Sequence, residues 1–205
     1  MAMAPQAPLV VQTAKASFPK ADLSIPYISG GANPEADARI NKAILEAAQQ
    51  LVNSQGSLDD PRAEMIAYFE VKTNEKDVFS LSLYNYAYTG GAHGMTLQKS
   101  LTFKASTGRS YSLSELFKSG SDYVARINEY VAKGIKERDI PTLEPFQSVA
   151  PDQPFYIADR SLVIYFELYE LAAYAYGFLY FPISVYAIQD IINEEGPLGP
   201  MLAND

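Results

Sequence analysis

The stretch Val78-Phe79-Ser80-Leu81-Ser82-Leu83-Tyr84-Asn85-Tyr86-Ala87-Tyr88 alternates with a period of two. In an extended strand successive side chains point to opposite faces, so Leu81, Leu83 and Asn85 share one side and Tyr84, Tyr86 and Tyr88 the other. The reading is a strand with an aliphatic face and a tyrosine ladder. Upstream, residues 64 to 73 form a second strand-like run, and the polar cluster Asn74-Glu75-Lys76-Asp77 between the two suits a hairpin loop. Downstream, the loop Thr89 to Gly94 leads into a strand from Met95 to Lys104, after which Ala105-Ser106-Thr107-Gly108 turns the chain into Arg109 to Ser112. The centre of the chain therefore reads as an antiparallel meander.

Around this centre lie two amphipathic helices. Asn33, Pro34 and Glu35 supply a side-chain cap, a pre-set φ and an acid at the positive end of a helix running to about Val52. Ile40, Ile44, Ala47, Ala48 and Leu51 make its apolar stripe. Ser112 and Glu115 have capping-box spacing and begin a short turn through Leu116 and Phe117. Asp122 opens the second helix, with Val124, Ile127, Val131 and Ile135 as its stripe and Lys133, Lys136 and Arg138 near its negative end. Short runs at Leu9 to Phe18 and Leu23 to Ile28 read as strands at or near a sheet edge. Further strands are expected at 155 to 158, 162 to 168 and 178 to 184, followed by a short helix near 186 to 192. The predicted fold class is α+β, an antiparallel sheet with two long amphipathic helices packed on one face.

The 205 residues are 48% apolar and 20% charged, the composition of a folded globular chain. A formal charge of -8 opposes polyanion binding, and basic residues never interleave with aromatics, so nucleic acid is not expected as a partner. With no Cys and one His, thiol catalysis, disulfides and sites needing two imidazoles are excluded, and no metal or other cofactor is expected. The first ten residues, MAMAPQAPLV, lack the cationic and long apolar regions of a signal peptide. Leu171 to Ile188 contains no charged residue, but Gly177, Pro182 and four tyrosines within it favour core strands with a turn over a membrane span.

Two places concentrate chemistry. Tyr88-Thr89-Gly90-Gly91-Ala92-His93-Gly94 brings the single imidazole to a strand junction amid glycines free to take positive φ; a wide hairpin with a structural His is the simpler reading. Late in the chain, Glu167 and Glu170 sit among Tyr165, Tyr169, Tyr174, Tyr176 and Tyr180, a mixture suited to sugar or protein recognition. After Arg138 the only cation is Arg160, against ten acids, so this last third carries -9 and the first 138 residues +1. Such segregation suits a basic partner, although solubility alone also explains it.

Tyr88 to Gly94, Leu101-Thr102-Phe103, Thr107-Gly108 and Ser114-Glu115-Leu116-Phe117 resemble the bacterial domain named after a peptidoglycan-deacetylase amino-terminal region. Phe155-Tyr156, Leu162 to Phe166, Tyr169-Glu170 and Ala175-Tyr176-Gly177 resemble its usual companion, the carboxy-terminal domain of the anti-sigma-V factor family. The resemblance covers residues 9 to 193 and departs from the pattern at Ala173, where Ala-Pro-Tyr is common, and at Ser184, where Ile-Pro-Tyr is common. It implies an extracytoplasmic chain, secreted or anchored through a segment absent here. It also implies a non-catalytic sensor or binding module of the cell envelope, with lysozyme or a peptidoglycan fragment as partner. The expected organisation is a disordered 1–8, a deacetylase-like half at 9–105, an anti-sigma-like half at 106–193 packed with it as one unit, and a flexible tail at 194–205. The partner-binding candidates are Tyr88, Gly90, Gly91, His93, Glu167, Tyr169, Glu170, Tyr174 and Tyr176. The rival expectations are a glycan-acting enzyme using His93 with a carboxylate, and a purely structural domain.

Overall fold

A computed structural model describes residues 7–60 and 62–203. The chain folds as two compact units, Met1–Ser110 and Tyr111–Asp205, so the division falls a few residues beyond the expected 105/106 boundary. Of the expected disordered start, residues 1–6 lie outside the described residues, whereas Leu9 is buried, its backbone N–H donating to Asn74 Oδ1 (2.8 Å).

The first unit holds a six-stranded sheet in the order β1 (Val11–Phe18), β2 (Ala21–Ile28), β3 (Glu64–Glu75), β4 (Val78–Tyr88), β5 (Met95–Lys104) and β6 (Arg109–Ser110). The sheet is mixed, not purely antiparallel as expected, because β2 and β3 run parallel. The reason is helix α1 (Pro34–Ser54), which lies between them and returns the chain to the starting end of the sheet, as a parallel pair requires. Its start follows the sequence signal: Asn33 accepts from the N–H groups of Glu35 and Ala36, with Pro34 in the first turn. Ile40 and Ile44 pack with Phe79, Leu81, Leu83 and Phe103 in the unit's core.

The β3–β4 hairpin is tighter than the four-residue loop expected. Glu75 pairs with Val78, and Lys76 and Asp77 both take left-handed φ, giving a two-residue turn of the type that matches strand twist. Asp77 then accepts from Ser106 N–H (2.6 Å) and Oγ (2.7 Å), tying the turn to the β5–β6 connection. The tyrosine ladder of β4 is not a free face: Tyr84 is 5% exposed, and Ser80 and Ser82 beside it are fully buried. Their hydroxyls pair with Thr102 Oγ1 (2.9 Å) and Ser100 Oγ (2.8 Å), which satisfies polar groups that burial would otherwise penalise.

The second unit holds a separate antiparallel sheet, β7 (Phe155–Ala158), β8 (Ser161–Phe166) and β9 (Leu179–Ser184), with helix α2 (Tyr123–Glu137) lying against β9. The two helices therefore do not share one sheet face; each belongs to a different unit and a different sheet. Asp122 caps α2 by accepting from Ala125 N–H (3.1 Å), and Ile127 and Val131 are its fully buried residues. Leu171 to Ile188 forms turns and β9 followed by a single 3-10 turn at Val185–Ala187, shorter than the helix expected near 186 to 192. Among the described residues no helix is long and apolar enough to cross a membrane.

Residues 194–203 are not a flexible tail. They end in a 3-10 turn at Pro200–Leu202 and place Leu198 and Met201 in the interior at 0% exposure.

α2 is tied to the segment after β9 by a two-pronged ion pair, Arg126 Nη1 and Nη2 donating to Asp190 Oδ1 (3.1 Å) and Oδ2 (2.9 Å). The Arg126 hydrogen bonds hold the Asp190 carboxyl below the usual carboxylate range. A carboxylate depressed in the folded state contributes stability at neutral pH and loses it as pH falls through its folded pKa. The urea midpoint of Arg126→Met should accordingly lie below that of the parent chain at pH 7, with the gap closing below the ordinary carboxylate range. A gap constant with pH would mean that the pair contributes nothing through its charge.

Candidate functional site

The glycine-rich motif forms the β4–β5 loop. Gly90 and Gly91 have φ of +105° and +111°, with nothing near where a side chain would project, so they serve the backbone path alone. Gly94 serves a different purpose: a Cβ there would lie 2.3 Å from the Tyr86 ring. Tyr88 Oη donates to Gly91 O (2.9 Å), and His93 Nδ1 donates to Gly94 O (2.8 Å). Tyr88, Gly90, Gly91 and His93 are thus brought together, with these bonds closing the loop on itself.

The second cluster is the β8–β9 connection, residues 167–178. Glu170 folds back on its own turn: Oε2 accepts from Glu167 N–H (2.6 Å) and Oε1 from Gln153 Nε2 (2.9 Å). Gln153, 2% exposed, also donates to Tyr165 O (3.0 Å) and accepts from Ala150 N–H (3.1 Å). Glu170 is therefore a positioning group for the turn. That turn raises Tyr169, at a φ of +67°, into solvent at 46% exposure, where its ring lies 5.5 Å from that of Tyr174. Tyr176, in the 3-10 turn Tyr174–Tyr176, is 50% exposed. Leu143, itself exposed, is held to the same connection by its N–H bond to Leu171 O (3.0 Å). The result is a projecting aromatic patch on a hydrogen-bonded base, which can pack on an apolar or sugar surface.

Sequence reasoning missed Gln153 and Leu143. It also missed a stack on β3 and β4: Tyr68 and Tyr84 rings lie 4.7 Å apart and nearly parallel, with Tyr84 Oη donating to Glu70 Oε2 (3.0 Å). The Lys72 ammonium contacts the same carboxylate, and its hydrogen bond holds Glu70 below the usual range. Burial raises the Tyr68 phenol. His93 belongs to the first unit and Glu170 to the second. Among the described residues no group of three or more His, Cys, Asp or Glu side chains is placed to hold a metal ion.

Charge follows the same division. The first unit has ten acids and ten Lys or Arg residues, while the second has fourteen acids against six and so carries the whole net charge of -8.

Residues 13–96 match the family described as Deacetylase PdaC, and residues 114–186 match a protein family of unknown function, DUF3298. The chain joins a PdaC-type domain to a DUF3298-type domain. The chain is 27% identical to the anti-sigma-V factor RsiV of Bacillus subtilis over 83% of its own length and 65% of that protein's. It is 22% identical to the peptidoglycan-N-acetylmuramic acid deacetylase PdaC of the same organism over 80% of its length and 37% of that protein's. The chain thus spans about two thirds of one relative and little more than a third of the other. A DUF3298 crystal structure from Bacteroides fragilis superposes with a TM-score of 0.77 at 12% identity, covering 98% of this chain and 100% of that one. One from Pseudomonas aeruginosa gives 0.69 at 14%, covering 98% and 99%. The fold is therefore that of DUF3298 proteins. The tyrosine patch falls in the DUF3298-type domain, and the glycine loop in the PdaC-type domain, whose match ends at residue 96.

Proposed function

We propose that this chain is a non-catalytic binding or sensor module of the bacterial cell envelope, acting outside the cytoplasm, whose second unit engages a basic protein of the lysozyme type. The observation that carries the reading is that one unit combines the entire net negative charge with the exposed Tyr169 and Tyr176 and the half-buried Tyr174 that packs beside Tyr169. Acidic surface steers a cationic partner and raises its association rate, while exposed tyrosines provide the desolvated contact that slows its departure. The similarity to an anti-sigma factor and to a peptidoglycan deacetylase supports the setting. A peptidoglycan fragment is the alternative ligand of the same patch.

The test is calorimetric titration of the purified chain with catalytically inactive lysozyme at low and moderate salt, and with soluble muropeptides in parallel. Saturable lysozyme binding that weakens as salt rises is expected. Replacing Tyr169 and Tyr174 together by Ala should weaken it by about tenfold or more at unchanged melting temperature, each buried aromatic anchor being worth about 1–2 kcal/mol or more. His93→Ala should leave affinity unchanged. Absence of binding to lysozyme and to muropeptides at micromolar concentration would overturn the proposal.

A further inference from the structure

Strand β1 is the terminal strand of the six-stranded sheet, and among the described residues no strand pairs with its outer side. The bond from Ser29 N to Val10 O (3.3 Å) makes Val10 and Ser29 a hydrogen-bonded pair, one step beyond the Val11–Ile28 pair of the β1–β2 ladder. By the alternation of antiparallel ladders, Gln12, Ala14, Ala16 and Phe18 then bond to β2, while Val11, Thr13, Lys15 and Ser17 direct their N–H and C=O groups away from it. Such an edge is a template for another strand.

The two faces of this edge differ. Ala14 and Ala16 lie beside Ile25 and Leu23, and between these residues and α1 is an apolar cavity of about 480 Å3. Two alanines are too short to fill the space, and Leu45 of α1 is left 52% exposed at its side. By strand alternation the Lys15 side chain leaves β1 on the face opposite Ala14 and Ala16, although the residue also borders the cavity, and among the described residues its ammonium has no acidic partner. A strand added to β1 would place alternate residues over the cavity and the residue between them beside Lys15.

We infer that the open edge of β1 docks an extended peptide whose residues i and i+2 are apolar, seated over the cavity beside Ala14 and Ala16, and whose residue i+1 is acidic, facing Lys15. Backbone hydrogen bonds supply affinity, the cavity selects apolar side chains, and the unpaired cation selects the acid. A second copy of the chain is a poorer occupant. Its β1 offers Lys15 and no acid, and each copy brings a charge of -8.

The probe is a fluorophore-labelled peptide, acetyl-TTIEVTT-amide, titrated with the full chain and read by anisotropy. It should bind saturably, and exchanging its Glu for Lys should weaken binding by about fivefold, the scale of reversing one exposed ion pair. Lys15→Glu should reverse that preference. Thr13→Pro removes an outward N–H without taking a bond from the β1–β2 ladder, and should abolish binding while the melting temperature stays nearly constant. No binding at millimolar peptide, or binding indifferent to both Lys15→Glu and Thr13→Pro, would overturn the inference. A concentration-dependent dimer in sedimentation that Thr13→Pro dissolves would also overturn it, assigning the edge to a second copy.

Discussion

Gln153→Leu should lower the stability of the second unit by about 2–5 kcal/mol and, with it, disable the tyrosine patch. Gln153 is 2% exposed and holds three groups at once: Tyr165 O, Glu170 Oε1 and the N–H of Ala150. Leucine of similar size leaves all three without this partner. A buried group so stranded costs about 1–3 kcal/mol, and water can repair the loss only at Glu170, which is exposed. The functional consequence follows from the geometry. Without Gln153, Glu170 loses one of its two anchors, and the turn that sets the positive φ of Tyr169 loosens. Partner affinity should therefore fall at a temperature where the variant is still folded. Thermal unfolding followed by near-UV circular dichroism and calorimetric titration of the same sample check the two halves. A variant as stable as the parent would show that Gln153 is not the keystone of the turn.

The second large effect is expected far from any ligand. Met201→Ala should destabilise the same unit by about 2–5 kcal/mol, the range for deleting a fully buried long side chain and leaving a cavity. That is a large share of the roughly 5–15 kcal/mol that holds a domain folded. Met201 and Leu198 are both at 0% exposure, and a Cβ added at Gly199 between them would fall 2.0 Å from the carbonyl oxygen of Glu194, so the segment is closely packed. Ending the chain after Asn193 should be at least as damaging. Urea unfolding measures both, and a change below about 0.5 kcal/mol would restore the view of this segment as a dispensable tail.

The site was half legible. The tyrosines of the β8–β9 connection and the glycine loop both stood out by composition, and the structure does cluster each set locally. Composition could not separate the roles within them. Glu170 and Tyr169 are sequence neighbours, yet one ties the turn and the other projects from it. Gln153 was not legible as a keystone, because two of its three partners lie 12 and 17 residues away along the chain. The Tyr68–Tyr84 stack was hidden by a bulge. Counting back from the Glu75–Val78 pair sets Tyr68 opposite Asn85, and the extra residue between Val71 and Thr73 moves it onto Tyr84.

What the sequence determined by itself acts over a few residues: the Asn33 and Asp122 caps, the apolar stripes of α1 and α2, the alternation of β4 and the turn chemistry around Asp77. Each is a contest between a side chain and its own backbone, or between two faces of one element, and is decided locally. The tertiary structure alone decided the parallel pairing of β2 with β3, the assignment of the helices to separate sheets, and the burial of Leu198 and Met201. Those outcomes depend on which distant surfaces exclude water together, and on where a long connection returns the chain. No periodicity within one segment encodes them.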